Sequence, residues 1–417
     1  MLYQRWRSVA REHAGRIALV DPGGDRQWTF AELAEEAGQQ ASRPTGLRFQ
    51  PAHGSDFVFE VLSAWRDGAV LCPLEVGQTP PVIKDPLKGI AHLKTTSAST
   101  GVARLVAFTA EQLAADADNI VQTMGLQPDW PNLGVISLAH SYGFSNLVLP
   151  LLLHGVPLVL GDSGLPEAIR RAASVLPNVT LPAVPALWRA WHEAGAIPPN
   201  TALAISAGAP LPLALEQDVF ATSRVKIHNF YGATECGGIA YDNSRTPRTD
   251  ATCVGAPMKN VTLSINDDGC LEVRSAAAGQ TYWPAPEANL GHGCYRTSDL
   301  AEIRQGLVFL RGRASDQINV AGRKVSPEAI ERVLSQHPLV RECLVFGAPD
   351  AANGRGEIIV ACVVAADGAN VEALKQFLLG QVPAWQTPRE WRFVDSLSPN
   401  QRGKLSRAEW RARLGFR

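Results

Sequence analysis

The chain has 417 residues, enough for two or three domains of ordinary size. Hydrophobic residues make up 46% and charged residues 19%, and 39 basic residues against 40 acidic ones give a formal net charge of -1. This composition is typical of a globular protein with a large core, and it argues against a nucleic-acid partner, which normally requires a basic face.

The cysteines and the apolar segments exclude two further classes of protein. Seven cysteines without a C-x-x-C pair predict neither a zinc site nor a disulfide framework, so buried free thiols in a reducing cytosol are the simpler interpretation. The most apolar stretch, 147–160, is interrupted by prolines and is too short to span a membrane. It predicts a buried helix followed by a core strand. We expect a cytoplasmic protein with no membrane span.

The first part of the chain alternates predicted helices with short apolar strands. Residues 4–44 predict a helix, a strand and a second helix, which Thr29 can cap because its hydroxyl accepts from free backbone N–H groups. A helix over 57–65 and a strand over 69–74 follow. Further strands are predicted at 135–138, 157–160, 203–206 and 225–228. This alternation indicates layered α/β structure.

The pattern changes twice in the second half. From about residue 253, short alternating strands with glycine turns predict a β-rich subdomain, and a polar stretch at 311–316 marks a boundary. Beyond it, a helix, two strands and a second helix are predicted at 327–336, 340–346, 358–365 and 371–379. We therefore expect an α/β protein with a large N-terminal domain of layered α/β subdomains, 1–314, and a small α+β C-terminal domain, 315–417.

Two polar loops have residue types suited to binding a nucleotide. The segment TTSASTG at 95–101 offers hydroxyls and backbone N–H groups to an anion, although a solvated linker would have the same composition. In NFYGATE at 229–235, Gly232 permits a tight turn and Glu235 offers an oxygen ligand suited to Mg²⁺. A surface turn with an exposed glutamate is the alternative.

Two later segments contribute candidate charges. Asp299 follows a turn and can hold ribose hydroxyls with Arg313 in support, whereas the alternative is a hairpin with a weak surface ion pair. Lys404 follows Gly403 near the C-terminus, where an ordinary mobile tail residue is the alternative.

In this order, the segments resemble the adenylate-forming superfamily of acyl-CoA synthetases, peptide-synthetase adenylation domains and luciferases. The resemblance covers nearly the whole chain, at 16–21, 28–33, 68–74, 95–104, 140–144, 207–211, 231–235, 312–313, 322–328 and 403–404. It implies an enzyme that uses ATP and Mg²⁺ to activate a small carboxylic acid as an acyl-adenylate. The acyl group then passes to CoA or to the phosphopantetheine of an acyl carrier protein.

The resemblance also implies the roles of individual residues. The phosphates of ATP would be bound by Thr95, Thr96, Ser97, Ser99, Thr100, Gly101 and Arg104. The adenine would be bracketed by Gly208, Ala209, Asn229 and Tyr231, and Gly232 is a further candidate for cofactor binding. The remaining assignments are Thr234 at the α-phosphate, Glu235 and Thr95 at the metal, Asp299 and Arg313 at the ribose, and Lys404 between the substrate carboxylate and the α-phosphate. The small mobile domain would pivot at Ser315.

Several positions depart from the family pattern. Ala98 stands where glycine is usual, Ala103 where proline is common, and Arg104 where lysine is usual. Arginine keeps the charge but changes its geometry. These changes motivate one alternative, a catalytically weakened nucleotide-binding or regulatory protein. An unrelated oxidoreductase or hydrolase lacks support, since GxGxxG, GxSxG and HExxH are absent from the sequence.

The substrate prediction depends on HSYGF at 140–144. His140, Tyr142, Gly143 and Phe144 are predicted to border the acyl pocket. The segment has no acidic residue for an ammonium group, whose burial without a partner would be costly, so we expect an acid without an α-amino group. Tyr142 and Phe144 suggest a flat pocket for an aryl acid such as a hydroxybenzoate. Core packing of both rings is the alternative, and a fatty acid is the second substrate candidate.

Overall fold

The computed structural model describes residues 1–83, 88–96, 104–161, 163–350, 356–397 and 406–416. Its helices are α1 (Leu2–Glu12), α2 (Phe30–Gln39), α3 (Gly54–Asp67), α4 (Ala110–Met124), α5 (Ser141–Gly143), α6 (Leu149–His154), α7 (Pro166–Ser174), α8 (Pro185–Glu193), α9 (Leu213–Ser223), α10 (Pro327–Leu334), α11 (Val371–Leu379) and α12 (Arg407–Arg413). A π-helical segment, Phe144–Val148, joins α5 to α6.

The strands of the first half are β1 (Ile17–Asp21), β2 (Arg26–Thr29), β3 (Leu47–Pro51), β4 (Val70–Leu74), β5 (His92–Thr95), β6 (Leu105–Phe108), β7 (Asn132–Gly134), β8 (Leu158–Leu160), β9 (Val179–Ala183), β10 (Thr201–Ser206), β11 (Ile227–Ala233) and β12 (Gly237–Tyr241). Those of the second half are β13 (Cys253–Pro257), β14 (Val261–Ile265), β15 (Cys270–Ser275), β16 (Thr281–Trp283), β17 (Leu290–Gly291), β18 (Cys294–Arg304), β19 (Leu307–Arg313), β20 (Ile318–Val320), β21 (Arg323–Val325), β22 (Val340–Pro349), β23 (Glu357–Ala365) and β24 (Glu390–Phe393).

A long mixed sheet dominates the N-terminal part. Its order is β14-β15-β18-β19-β13-β12-β11-β10-β9-β7-β8-β1-β2, with β17 paired to β18. The run β11-β10-β9-β7-β8-β1 is parallel, and the strands from β12 towards β14 are antiparallel. The parallel part is covered by helices and therefore almost fully buried, which explains its short apolar strands. The expected β-rich subdomain is the antiparallel part.

A second sheet, in the order β16-β6-β5-β4-β3, lies on the other side of the main core. Large apolar side chains from α1, α2, α3 and α6 fill that core, among them Trp6, Phe30, Phe57 and Leu151. The predicted helix cap at Thr29 is confirmed. Its hydroxyl accepts from the Glu32 backbone N–H at 3.2 Å while the Glu32 carboxylate accepts from the Thr29 backbone N–H at 2.8 Å.

The last hundred residues form separate small sheets, β20-β21 and β22-β23-β24. Their apolar side chains pack in two clusters whose members all follow residue 317. Arg407 ties the C-terminal helix to this unit, since it donates to the Glu331 carboxylate at 2.8 Å and to Asp316 Oδ2 at 3.0 Å. The predicted order helix, strand, strand, helix after residue 326 is confirmed.

Two local predictions are wrong. Residues 135–138 leave the sheet after β7 instead of forming a strand, because Ser137 turns back to donate to Glu75 at 2.6 Å. Gly232 lies within β11, and the turn is at 234–236. Glycine is needed at 232 for a different reason: a Cβ there would lie 2.7 Å from the Gly237 carbonyl oxygen.

The cysteines and the longest apolar stretch behave as the sequence indicates. All seven thiols are free, four of them buried and three partly exposed. Residues 147–160 form a buried helix followed by β8. In the described part of the chain, no helix is both long and apolar enough to cross a membrane.

Candidate active site

The predicted motifs follow the carboxyl ends of parallel strands. His140 follows β7, Gly208 and Ala209 follow β10, and Thr234 and Glu235 follow β11. Since carboxyl ends of parallel strands lie at one edge of a sheet, these segments approach one another although they are far apart in sequence. Open α/β sheets bind their ligands at this edge.

The ribose-side charges form a cross-strand pair. Asp299 on β18 and Arg313 on β19 are register partners, and the Arg313 Nε donates to Asp299 Oδ1 at 2.9 Å. The Tyr231 hydroxyl on β11 donates to the other oxygen, Oδ2. Burial raises the pKa of Tyr231 well above its usual range, so the phenol stays protonated and donates. The β18-β19 pair and the distant strand β11 thus meet at one carboxylate.

Glu235 is a buried carboxylate that accepts from a neutral donor, Tyr282, and lies near positive charges. The Tyr282 hydroxyl donates to Glu235 Oε1 at 3.0 Å. Burial raises the pKa of Glu235 above its usual value, an effect that the Tyr282 hydrogen bond and the charges of Arg104 and Arg313 oppose. Burial disfavours the charged form of this carboxylate, and a cation bound beside it would restore the charged form. The position is therefore electrostatically suited to a cation.

The two ends of the predicted phosphate loop are fixed to each other. Thr96 donates its backbone N–H to the Arg104 carbonyl at 2.8 Å, and the Arg104 N–H returns to Thr96 Oγ1 at 3.3 Å. The Arg104 guanidinium pairs with Glu287 and lies 4.4 Å from the centre of the Tyr282 ring. Ser97, Ser99, Thr100 and Gly101 lie outside the described residues.

Sheet register brings the phosphate loop to the Glu235 side. Thr95 on β5 pairs with Leu105 on β6, which pairs with Trp283 on β16, next to Tyr282. Among the described residues, the buried Thr95 Oγ1 has no hydrogen-bond partner, so this oxygen at the end of the strand is not used there.

These oxygens suit Mg²⁺, a hard cation that prefers oxygen ligands. Groups of three or more His, Cys, Asp or Glu side chains able to hold a metal are not found among the described residues. That finding is compatible with Mg²⁺, which is usually held by one or two carboxylates together with substrate phosphates. Glu235 and the unpartnered Thr95 hydroxyl therefore fit the predicted ion.

The predicted adenine loop, 207–210, is exposed beyond Ala207. Gly208 has a φ of +85°, which glycine adopts at little cost, and Asn229 is buried beside Ser206 on the neighbouring strand. Arg248 stabilises the end of this loop by donating to the Leu211 carbonyl at 2.8 Å.

The acyl segment divides into an exposed part and a buried part. His140 is exposed and its Nε2 lies 3.2 Å from Glu75 Oε1. The Tyr142 hydroxyl reaches the Ala183 and Ile205 carbonyls, each at 3.4 Å, so its ring crosses the ends of β9 and β10.

Gly143 and Phe144 continue this segment into the core. A Cβ on Gly143 would lie 2.0 Å from the Ser137 carbonyl oxygen, which requires glycine. Phe144 is fully buried, with its ring stacked on His92 at a centroid distance of 4.1 Å. The structure favours core packing for Phe144 over a place in the pocket wall, whereas Tyr142 reaches the predicted ligand edge.

The boundary with the C-terminal part lies beside the ribose pair. Gly312, with a φ of +115°, packs so closely against α10 that an added Cβ would lie 2.4 Å from Ser326 Oγ. Ser315 follows in a short, exposed 3₁₀ turn. Lys404 lies outside the described residues, so its predicted role remains a prediction.

Sequence reasoning missed several polar groups near these segments. Glu75 stands directly after β4 and contacts His140, so its position after a buried strand was a usable signal. Tyr282 and the buried pair Lys94–Asp116 gave no such signal, because only tertiary packing brings them to the site.

The comparisons with known proteins identify the family of this chain. A family model described as AMP-binding enzyme matches residues 55–283, and one described as AMP-binding enzyme C-terminal domain matches 329–404. The chain therefore belongs to the AMP-binding enzyme family and is an AMP-forming acid–thiol ligase. Membership of this family implies ATP and CoA as reactants.

Named relatives differ in the acids they activate. A probable 2-succinylbenzoate–CoA ligase of Mycobacterium tuberculosis (strain CDC 1551 / Oshkosh) is 28% identical over 342 residues, covering 76% of this chain and 83% of the relative. The fatty acid–[acyl-carrier-protein] ligase ScoC of Streptomyces coeruleorubidus is 33% identical over 227 residues, covering 50% of this chain and 43% of ScoC. The crystal structure of ATP-bound MatB from Rhodopseudomonas palustris has a TM-score of 0.87 at 20% identity, covering 99% of both chains, which shows the shared fold.

Proposed function

We propose that the chain activates an aryl acid without an α-amino group as its acyl-adenylate and transfers the acyl group to CoA or a carrier-protein thiol. The observation that supports this proposal is the meeting of the Asp299–Arg313 pair, Tyr231 and the buried Glu235 at one edge of the parallel sheet. The two ends of the phosphate loop, Thr96 and Arg104, are hydrogen-bonded to each other and adjoin β5 and β6 of the second sheet.

The first step brings two anions together. A carboxylate oxygen of the acid attacks the α-phosphorus of ATP, the new P–O bond forms, and pyrophosphate leaves. Asp299 would orient the ribose, Thr95 and Thr96 the phosphates, and Thr234 the α-phosphate. Lys404 would neutralise the charge between the carboxylate and the α-phosphate, because a fixed cation there stabilises the transition state. Mg²⁺, held by Glu235, would supply further charge neutralisation.

The second step transfers the acyl group. The thiol sulfur attacks the acyl carbon, AMP leaves with the bonding electron pair, and the thiol proton passes to solvent or a base. We propose that the C-terminal domain, 315–417, rotates about Ser315 relative to 1–314 between the two steps, withdrawing Lys404. The position of Ser315 in an exposed turn, directly after the ribose pair, supports this pivot.

An aryl substrate is supported by two observations. The Tyr142 ring lies across the ends of β9 and β10, where a flat acid can stack against it. The relative from M. tuberculosis is named for a substituted benzoate. ScoC is named for fatty acids, so a fatty acid is the competing substrate class, and its name also keeps a carrier protein among the acceptors.

The test is pyrophosphate release with ATP, Mg²⁺ and a panel of hydroxybenzoates, other aryl acids, fatty acids and amino acids. We expect release with an aryl acid and none with an amino acid. Release with fatty acids alone would replace the aryl proposal. ATP binding without release for any acid would support the regulatory alternative, which the ligase names of the relatives do not favour. Adding CoA or a phosphopantetheinylated carrier then identifies the acceptor.

A further inference from the structure

A buried ion pair lies between the segments of the active site. Lys94 on β5 and Asp116 on α4 are each 1% exposed, and Lys94 Nζ lies 3.3 Å from Asp116 Oδ2. Lys94 also donates to Ser145 Oγ at 3.0 Å and to Ser141 Oγ at 3.4 Å. With three polar partners and the Phe108 ring at 4.6 Å, the ammonium has no donor left for a ligand.

Lys94, its partner Ser141 and Asp116 each lie next to, or contact, a segment that carries predicted site residues. Lys94 precedes Thr95 at the start of the phosphate loop, and Ser141 follows His140 in the acyl segment. Asp116 Oδ1 accepts the Gly238 backbone N–H at 3.3 Å, on the strand that follows the Glu235 turn. The pair therefore links three loops that have no covalent connection near the site.

The contact between Asp116 and β12 is close, and it fixes the hairpin formed by β11, the 234–236 turn and β12. A Cβ on Gly237 would lie 2.0 Å from Asp116 Oδ1. Gly237 also has a φ of +69°, the left-handed region that glycine tolerates. The hairpin is thus held against the Asp116 carboxylate by both its backbone conformation and its lack of a side chain.

Fold stability alone does not account for this pair. Removing two charges from water is costly, and replacing a buried ion pair by well-packed hydrophobic residues of similar volume is often neutral or stabilising. What a buried pair does impose is a definite geometry, because its partners must stay within hydrogen-bond distance. Misplacing reacting groups by about 1 Å can lower a rate about 100-fold.

We propose that Lys94 and Asp116 are positioning residues that align the start of the phosphate loop at Thr95, the acyl segment and the Glu235 turn for adenylation. This inference rests on the proposed function and adds two residues that do not touch substrate. Loss of the pair lowers the rate of adenylation without a corresponding loss of stability.

The test compares wild type, Lys94→Met/Asp116→Asn and Arg48→Met/Asp67→Asn. The control pair lies near the outer edge of the second sheet, with Arg48 Nη2 2.8 Å from Asp67 Oδ2, and is also largely buried. For the Lys94/Asp116 variant we expect kcat for pyrophosphate release to fall about 100-fold. Its Tm and its KM for ATP should stay near the wild-type values. The control variant should keep kcat.

A second readout is independent of turnover. Hydrogen exchange followed by mass spectrometry should show faster exchange at 140–146 and 234–238 in the Lys94/Asp116 variant than in wild type. Wild-type kcat together with wild-type exchange would overturn the positioning proposal. Wild type that releases no pyrophosphate with any acid would overturn the proposed function instead, and the exchange measurement would still decide the role of the pair.

A smaller change keeps the test valid if the double variant does not fold. Ser145→Ala removes the hydroxyl between the two charges and leaves both in place. We expect a folded protein with adenylation lowered about tenfold, in proportion to one hydrogen bond of about 1.4 kcal/mol. An unchanged rate in this variant would contradict the proposal.

Discussion

At the scale of single residues, the site depends on two carboxylates, Asp299 and Glu235, whose hydrogen-bond donors differ in charge. Asp299 receives one charged donor and one phenol, which leaves its orientation fixed before a ligand arrives. Glu235 is buried and accepts from the neutral Tyr282 hydroxyl. The first arrangement suits hydrogen bonding to a sugar, and the second suits a cation.

The ribose role of Asp299 can be tested by Asp299→Asn. The amide keeps the size of the side chain but loses the charge that pairs with Arg313, so we expect KM for ATP to rise about tenfold or more, as for a lost charge-assisted hydrogen bond. Initial rates of pyrophosphate release at varied ATP concentration would measure this KM. Glu302→Gln removes a carboxylate paired with Arg311 on the same two strands and should leave KM unchanged. An unchanged KM in Asp299→Asn would remove the residue from the nucleotide site.

The buried thiols should be poor nucleophiles. Burial raises the pKa of Cys72 to about 12 and that of Cys362 to about 11. Little thiolate therefore forms at pH 8, and the reagent has little access. We expect iodoacetamide to leave both unmodified in the folded protein, as measured by peptide mass spectrometry, and to alkylate all seven after unfolding. Rapid modification of Cys72 at pH 8 would contradict its burial.

At the scale of elements, glycines decide how closely the segments of the site approach. Gly237→Ala adds a Cβ at a φ of +69° and 2.0 Å from Asp116, whereas Gly68→Ala adds one at a φ of +68° with nothing within 4 Å. Both variants should lose about 1 kcal/mol or more to backbone strain. Only Gly237→Ala should also lose adenylation. Denaturant melts and kcat measure the two effects, and equal kcat values would show that the close contact is unimportant.

The cap of α2 makes a prediction confined to stability. Thr29→Ala removes the hydroxyl half of the capping box and should lower the free energy of unfolding by about 1 kcal/mol, with kcat unchanged. Thr29→Ser keeps the hydroxyl and is the control. A loss of stability equal in both variants would assign the effect to packing of the methyl group.

At the scale of the whole molecule, the C-terminal part packs beside the ribose pair. Gly312 touches α10, and Arg407 joins α12 to Asp316, directly after the proposed pivot. The C-terminal helix and the pivot are therefore mechanically connected. This connection is what a domain rotation about Ser315 would have to move as one unit.

Lys404→Ala tests whether that unit supplies the catalytic lysine. We expect adenylation to be lost, because no other charge would bridge the acid and the α-phosphate, while ATP still binds. Pyrophosphate release and ATP titration measure the two properties. Lys375→Ala, in α11 of the same unit, should retain full activity. Unchanged adenylation in Lys404→Ala would assign the catalytic charge to another residue.

The local elements were largely predictable because their causes are local. The cap at Thr29, the helix α11 and the strand β23 follow from side-chain chemistry and apolar spacing within a few residues. The segment 135–138 was not predictable in this way. Its apolar residues have strand propensity, but Ser137 finds a better partner in Glu75, a residue about sixty positions away in the chain.

The sequence by itself determined the family, the α/β class and the identity of most candidate residues, because short motifs contain the residue types that the chemistry of each loop requires. Only the tertiary structure decided which groups meet: Tyr231 with Asp299, Tyr282 with Glu235, and Lys94 with Asp116. The physical reason is that these contacts join residues 22 to 68 positions apart, through the order and register of strands in two sheets and the packing of α4 against them. No pattern within a single segment encodes that order.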